Sequence, residues 1–328
     1  MEDVEFKYNY VICGSKGFYE IAYYDVMNMK NVKYFSSAFQ SLDNKLLKLL
    51  ARINYSKKIN QYISNPFDFC VKNKLFQCQF SQNRPLCFLI FKNNIEVLGI
   101  SFFQDLKNKY PNSKMVVYFQ DIISSYKNFD LEGVRKFADC LVTYDKGDAE
   151  MYGMGYFPTP YSIFDIDDND LLKKSDIYFT GYAKTRYKTI FNVYEKCREQ
   201  RLLCDFNLVG VPKDQQIYTD EIHYDCPLTY KENLQHVLKT RCILEIMQEG
   251  AVGFTPRLWE AIMYDKHLLT NNISVRDTEY YSNRSIHFVG DGLDNISNFI
   301  EKDVCNPTSL KKTKSPIYLL KYIESLIS

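Results

Sequence analysis

The residues best suited to chemistry lie in one short segment, residues 250–261 (GAVGFTPRLWEA). Thr255 is a good N-cap and Pro256 suits the first position of a helix, so a helix is predicted to begin here. The free N–H groups of a first helical turn, together with the helix dipole, form a natural phosphate site. Glycines such as Gly253 also let another group approach the backbone closely.

Two side chains on this predicted helix extend the phosphate hypothesis. Arg257 and Glu260 are three residues apart and therefore share a helix face. Arg257 can neutralise a phosphate with its fork of donors. Glu260, one turn deeper, could accept hydrogen bonds from both hydroxyls of a ribose. The same pattern also fits a well-capped helix with an Arg–Glu surface pair, and the pattern alone leaves both interpretations open.

A second candidate follows a predicted strand that ends at Gly181. Lys184 and Arg186 come within a few residues, where a helix begins. These cations would face a diphosphate across a cleft from Arg257. The alternative is a solvated basic turn without a ligand.

Two further candidates lie in the first half of the chain. Asp121 follows a predicted central strand, and the carboxyl ends of strands in open parallel sheets line ligand crevices. Asp121 could be a general base for an acceptor hydroxyl, or an N-cap for the residues after it. The loop between Gly14 and Gly17 either turns the chain or faces the reaction centre.

No metal site is expected. Residues 165–170 (DIDDND) are acidic, but they are preceded by a proline-containing stretch and fit a solvated linker. The four histidines form no pair with metal-ligand spacing, and we assign none of them a catalytic role.

Short apolar runs alternate with helical patterns along the whole chain, which predicts an α/β fold with parallel sheets and helices on both faces. Strands are predicted at residues 10–13, 86–91, 115–119, 141–144, 177–180, 206–209, 242–247 and 268–270. Helices are predicted at residues 96–110, 185–201, 230–239, 258–264 and 317–327. The pattern breaks at residues 157–175, where prolines and acidic residues indicate a domain boundary. We therefore predict an N-terminal domain (1–160), a linker (161–175), a C-terminal domain (176–312) and a last helix (313–328).

Two stretches, residues 250–261 and residues 266–272 (KHLLTNN), together resemble the donor-binding region of bacterial GT-B glycosyltransferases. The group it resembles most synthesises lipopolysaccharide, capsule and related surface polysaccharides. Three more stretches are similar to that group in the same order: residues 111–121 (PNSKMVVYFQD), 143–149 (TYDKGDA) and 177–187 (IYFTGYAKTRY). The similarity covers roughly residues 85 to 290. It departs from the family at Gln120, where an aromatic residue is frequent, and over most of the first 80 residues.

The resemblance implies two Rossmann-like domains with parallel sheets facing a central cleft, the last helix packing back near the N-terminal domain. It implies a glycosyltransferase that moves a sugar from a nucleotide-sugar donor to a glycan or lipid-linked acceptor, with no cofactor or metal. The net charge of +1 does not point to a nucleic-acid partner. The donor residues it assigns are Gly181, Lys184, Arg186, Gly253, Phe254, Thr255, Arg257 and Glu260. Two alternatives stay open: a nucleotide-sugar epimerase of the same fold, and a non-catalytic nucleotide-sugar-binding or assembly subunit.

Composition bears on location. The acidic start of the chain, scattered cysteines and the lack of an apolar run near the ~20 residues that span a bilayer favour a cytoplasmic protein. Residues 30–92 contain eleven lysines or arginines against two aspartates, a net charge of +9 in a chain whose total is +1. A basic amphipathic helix around residues 42–63 either rests on anionic lipid or is simply solvated.

Overall fold

A computed structural model describes residues 4–123, 129–167, 171–248, 253–306 and 308–328. The chain divides into two compact units. Unit 1 comprises residues 1–162 and 314–328, and unit 2 comprises residues 163–313. Each unit contains one six-stranded sheet, in which every strand pairing is parallel. The predicted α/β class is therefore confirmed.

The strands are β1 (Asn9–Cys13), β2 (Val32–Phe35), β3 (Leu86–Phe91), β4 (Lys114–Phe119), β5 (Cys140–Thr143), β6 (Gly155–Tyr156), β7 (Ser175–Tyr182), β8 (Cys204–Val209), β9 (His223–Tyr224), β10 (Thr240–Glu245), β11 (His267–Thr270) and β12 (Ile286–Phe288). All eight predicted strands are present. The four that the sequence did not reveal are β2, β6, β9 and β12, and each lies at the edge of its sheet. They have two to four residues, so they lack the long apolar run that a strand buried on both faces requires.

The helices are α1 (Phe18–Ala22), α2 (Tyr24–Met27), α3 (Lys45–Asn54), α4 (Lys57–Asn60), α5 (Asp68–Val71), α6 (Lys92–Leu98), α7 (Ile100–Lys109), α8 (Leu131–Arg135), α9 (Lys146–Tyr152), α10 (Tyr187–Glu199), α11 (Tyr230–Lys239), α12 (Pro256–Met263), α13 (Ile296–Ile300), α14 (Thr308–Thr313) and α15 (Pro316–Ile327). None of the helices in the described ranges is both long and apolar enough to cross a membrane.

Two predicted helices are wrong in extent. The helix predicted over residues 96–110 is interrupted at Gly99, whose φ of 81° is incompatible with a continuous right-handed helix. The helix predicted over residues 42–63 is two helices, α3 and α4, separated by Tyr55 and Ser56. Tyr55 turns inward and packs in the core of unit 1, which ends α3 there.

The sheet of unit 1 has the strand order β2-β1-β3-β4-β5-β6, and that of unit 2 the order β12-β11-β10-β7-β8-β9. In each sheet the first strand of the unit is an interior strand, with a later strand on either side. In unit 1 the strand order reverses between β1 and β3, and in unit 2 it reverses between β7 and β10. Ligands of open α/β sheets bind outside the carboxyl ends of the strands at such a reversal.

The last helix, α15, completes unit 1. Leu319, Leu320 and Ile323 are fully buried in a cluster with the first strands of the sheet. Tyr10 donates a hydrogen bond from its hydroxyl to the carbonyl of Leu320 at 3.1 Å. Asp25 contacts both points at which the chain crosses between the units. Its amide donates to Ser162 Oγ (3.0 Å), where the chain leaves unit 1, and its carboxylate accepts from Ser315 Oγ (2.5 Å), where the chain returns.

We predict that Leu320→Ala lowers the free energy of unfolding by about 2–5 kcal/mol, since the side chain is fully buried and leaves a cavity. A urea titration measures the loss. The control is Leu326→Ala on the same helix, whose side chain is 42% exposed and whose loss should stay below about 1 kcal/mol. Equal losses in the two variants would contradict the packing of α15 described here.

Candidate functional site

The candidate site of unit 2 lies at the point where its strand order reverses. Gly181 is near the end of β7, and Glu245 is the last residue of the neighbouring strand β10. Helix α12 begins after the loop that follows β10, with Thr255 as its N-cap and Pro256 in its first turn, as the sequence predicted. The strand ends and the helix start therefore meet where a ligand of this fold class binds.

Arg257 joins the two strands. Its guanidinium donates from Nη2 to the carbonyl of Thr180 in β7 and lies 5.5 Å from the centre of the Phe179 ring. Gly181 makes this approach feasible: a Cβ at that position would lie 3.0 Å from Arg257 Nη2. The φ of Gly181 is 139°, a conformation that favours glycine. The cation is therefore held beside the carboxyl end of β7.

Glu245 holds the N-terminus of α12. It is 1% exposed and accepts hydrogen bonds from the hydroxyls of Thr255 and Thr270, the latter at 2.5 Å. Thr255 Oγ1 in turn accepts from the Arg257 amide at 3.2 Å. Burial raises the pKa of Glu245, and these hydrogen bonds and the charge of Arg257 oppose that rise. A buried carboxyl group thus fixes the cap of the helix that carries Arg257.

Glu260 is buried one turn further along α12, with 2% of its surface exposed. Its Oε1 accepts from the Tyr230 hydroxyl at 2.7 Å and from Asn233 Nδ2 at 3.0 Å. Among the described residues, Oε2 has no hydrogen-bond donor. Burial raises the pKa of Glu260, and Arg257 is the largest influence that lowers it. Because Glu260 is buried, it does not belong to a surface Arg–Glu pair, which was one interpretation of the sequence.

The guanidinium of Arg186 is engaged by backbone carbonyl groups. The Arg186 guanidinium donates to the carbonyls of Tyr182, Ala183 and Ile246, so it ties the end of β7 to the end of β10. Burial, and the charge of Arg257, lower the pKa of Arg186. Lys184 is exposed.

The loop between β10 and α12 is held at both described ends by two asparagines. Asn271 Oδ1 accepts from the Met247 amide at 2.6 Å, and Asn272 Nδ2 donates to the Gly253 carbonyl at 2.8 Å. Gly253 has a φ of 98°, which a side chain would strain. Residues 249–252, part of the segment singled out from the sequence, lie outside the described residues.

Phe254 packs against two other aromatic side chains. It packs edge-to-face with Trp259 and Tyr280, at centroid distances of 5.9 and 5.4 Å. Trp259 and Tyr280 are themselves 5.0 Å apart in the same geometry. The three rings fix the entry of the loop into α12.

In unit 1 the corresponding reversal carries the loop of Gly14 and Gly17. Asn94 donates from Nδ2 to the carbonyls of Cys13 and Gly14, at 2.8 and 2.9 Å, which joins the end of β1 to the helix after β3. A Cβ at Gly14 would lie 2.4 Å from the Tyr34 ring. Gly17 is the N-cap of α1 with a φ of 71°. Gly14 is therefore explained by packing and Gly17 by its backbone conformation.

Asp121 is exposed and comes two residues after the end of β4. Its charge adds to burial in raising the pKa of Tyr144 to about 12, and it acts in the same direction on Tyr19. The amide of Ile123, two residues on, donates to Asp148 at 2.7 Å. Residues 124–128, into which a helix capped by Asp121 would extend, lie outside the described residues.

The described ranges contain no cluster of three or more histidine, cysteine, aspartate or glutamate side chains able to hold a metal ion. Of the acidic run, residues 168–170 fall outside those ranges.

Four residues of the unit 2 site were not identified from the sequence: Glu245, Tyr230, Asn233 and, as a structural tie, Asn272. Glu245 could have been found from the sequence. It lies at the carboxyl end of a predicted central strand, and the same kind of position led us to select Asp121. Tyr230 and Asn233 are three residues apart and share a helix face, but nothing in the sequence indicates that this face meets Glu260.

Comparisons with known proteins agree with this architecture. No protein-family model matches the chain, and no curated protein matches its sequence. Among solved structures, an α-glucosyltransferase in complex with UDP-glucose and DNA containing an abasic site has a TM-score of 0.52 at 13% identity, over 97% of this chain and 93% of that chain. The UDP-GlcNAc 2-epimerase from Methanocaldococcus jannaschii has a TM-score of 0.52 at 12% identity, over 96% of this chain and 99% of that one. At such identities the likeness shows the fold, which is that of GT-B glycosyltransferases.

The buried carboxyl of Glu245 predicts a pH effect. A carboxyl whose pKa is raised in the folded state binds more protons there than in the unfolded chain, so its contribution to stability falls as pH rises above its ordinary value of 4.5. Glu245→Gln removes this titration and keeps an acceptor and a donor for the two threonine hydroxyls. We expect the melting temperature of the variant, relative to the original protein, to rise progressively as the pH increases above about 4.5. A difference that does not change with pH would rule out a raised pKa at Glu245.

Proposed function

We propose that this protein is a metal-independent glycosyltransferase that binds a nucleotide-sugar donor in unit 2 and transfers the sugar to a glycan or lipid-linked acceptor in surface-polysaccharide synthesis. The observation that carries the proposal is the convergence of Arg257 and Glu260 at the strand reversal of unit 2. The cation stands at the carboxyl end of β7 and the buried carboxylate one turn along the helix. A nucleoside diphosphate needs both: donors for its phosphates and an acceptor for its ribose hydroxyls.

Each residue then has a defined part in donor binding. The first turn of α12 and Arg257 receive the diphosphate, because amide groups and a guanidinium both favour anionic oxygens. Glu260 Oε1 is occupied by Tyr230 and Asn233, which leaves Oε2 to accept from the ribose. The helix dipole and Arg257 supply the positive charge that a metal ion supplies in other phosphate sites.

The same groups would assist bond cleavage. When the bond between the sugar and the diphosphate breaks, negative charge grows on the leaving phosphate. Arg257 is held in place by the backbone carbonyl of Thr180, so it need not reorganise as that charge develops. The acceptor hydroxyl loses a proton in the same reaction, and in an inverting mechanism we assign Asp121 of unit 1 as the base.

An epimerase of the same fold is the second candidate, because one structural neighbour is a UDP-GlcNAc 2-epimerase. An epimerase requires acid and base groups around the sugar. In unit 2, His236 Nδ1 lies 2.5 Å from Asp205 Oδ2, but Asp205 is the second residue of β8, at the amino end of the strand. That pair is at the opposite edge of the sheet from Arg257, which favours the transferase.

A thermal-shift screen of nucleotides and nucleotide sugars is the first test, since a ligand that binds the folded state raises the melting temperature by mass action. The best donor is then incubated without an acceptor, and the products are separated. Release of free sugar supports a transferase, and appearance of an epimeric nucleotide sugar supports the alternative. Absence of any stabilising nucleotide would overturn both.

The role of Glu260 predicts the effect of Glu260→Gln. The glutamine oxygen can keep the hydrogen bonds from Tyr230 and Asn233, while its NH₂ group replaces the free acceptor Oε2. We expect nucleotide affinity, measured by calorimetry, to fall by about 1–3 kcal/mol.

Two controls accompany this variant. The exposed Glu301→Gln should bind as the original protein does. With the 2′-deoxynucleotide the difference between Glu260→Gln and the original protein should shrink, because one hydroxyl that Glu260 accepts from is gone. The same loss for ribose and deoxyribose ligands would show that Glu260 does not contact the sugar.

Arg257→Ala tests the assistance to bond cleavage. If Arg257 stabilises the leaving phosphate, the rate of donor hydrolysis at saturating donor should fall by about 100-fold or more, beyond any change in donor affinity. The exposed Arg284→Ala serves as the control. A variant that binds donor weakly but hydrolyses it at the original rate once saturated would assign Arg257 to binding alone.

A further inference from the structure

Unit 1 exposes large apolar side chains within its most basic segment. Five of them lie between residues 46 and 69, and each of these residues is at least half exposed. The exposed fractions are 60% for Leu46, 52% for Leu49, 82% for Tyr62, 61% for Ile63 and 84% for Phe69. They belong to α3, α5 and the turn after α4, and α3 contacts both α4 and α5. Single exposed apolar residues are ordinary, but several large ones on helices that contact each other are a reason to look for an interaction site.

Helix α3 shows how the group arises. One face of the helix packs into unit 1 through Leu47, Leu50 and Ala51. Leu46 and Leu49 are three residues apart on another face, which would be polar if it met only water. Lys45 and Arg52 are exposed on the same helix. The outer face of α3 thus combines leucines with cations.

Among the described residues, the ion pairs of the basic segment involve Lys72, Arg84 and Lys92, and not the cations of α3 and α4. Lys45, Lys48, Arg52, Lys57 and Lys58 form no ion pair with any residue in the described part of the chain. Together with the five apolar side chains they form what we term the basic apolar surface. Asp68, one of two acids in the segment, is occupied by a hydrogen bond from Asn54 at 2.8 Å.

We propose that the basic apolar surface lies on an anionic lipid bilayer. The cations match negatively charged headgroups, and the leucines, Ile63 and the aromatic rings would enter the boundary between headgroups and acyl chains. Duplex DNA would satisfy the same cations through its phosphates, but it offers nothing apolar to Leu46, Leu49 or Ile63. The inference goes beyond the proposed function and does not depend on it, since binding to lipid requires no turnover.

Co-sedimentation with vesicles tests the proposal. We expect the full chain to bind phosphatidylcholine vesicles containing phosphatidylglycerol, and not vesicles of phosphatidylcholine alone. Raising the salt from about 0.1 M to about 1 M shortens the screening length from ~10 Å to ~3 Å and should weaken binding. Absence of binding to the anionic vesicles at low salt would overturn the proposal.

Two sets of substitutions separate the contributions. Reversal of Lys45, Lys48, Arg52, Lys57 and Lys58 to Glu should lower the bound fraction at least about tenfold. Replacement of Leu46, Leu49, Ile63 and Phe69 by Ser should lower it about as much, because the apolar contacts are lost while the charges remain.

Matched controls use the same chemistry elsewhere. Reversal of the exposed Lys136, Lys173, Lys213, Lys231 and Lys312 changes net charge equally, and Met151→Ser removes a side chain that is 74% exposed. Both control variants should retain most of the vesicle binding. Circular dichroism is used to check that every variant folds. Vesicle binding that survives both sets of substitutions, or binding to duplex DNA without binding to vesicles, would refute the lipid assignment.

Discussion

The candidate donor site depends on one hydrogen bond, from the Arg257 guanidinium to the carbonyl of Thr180. It links the start of α12 to the end of β7 through two residues that are 77 positions apart in sequence. Gly181 leaves room for it, since any larger residue would bring a carbon against the guanidinium. The protein itself thus fixes the cation at the strand reversal, and an ion held in advance stabilises an anion without further reorganisation.

The surroundings of Arg257 explain why two carboxyl groups can be buried beside it. Removing a charged carboxylate from water is costly unless hydrogen bonds and an opposite charge compensate. Glu245 has two threonine hydroxyls and Glu260 has a tyrosine and an asparagine, and Arg257 lowers the pKa of both. The two carboxyl groups have different roles. Glu245 holds the cap of α12, while Glu260 keeps one oxygen available as an acceptor.

The two units use the same topology for different chemistry. Both reverse strand order beside their first strand, and in both a polar side chain ties the two strand ends, Arg186 in unit 2 and Asn94 in unit 1. Unit 2 places compensated buried charges there. On α3 and its neighbours, unit 1 instead exposes apolar side chains and cations that form no ion pair in the described part of the chain. This division is compatible with the function proposed above, in which unit 2 binds a nucleotide-sugar donor.

The sequence by itself determined the α/β alternation, the central strands and the capped helix of Thr255, because apolar periodicity and capping act between residues close in the chain. It indicated Arg257 and Glu260 for the same reason. Only the tertiary structure decided that Glu245 holds that cap, that Arg186 bonds backbone carbonyls, and that Leu46 faces outward. These outcomes depend on contacts between distant segments, and a helix with apolar residues on two faces does not reveal which face the rest of the chain will cover.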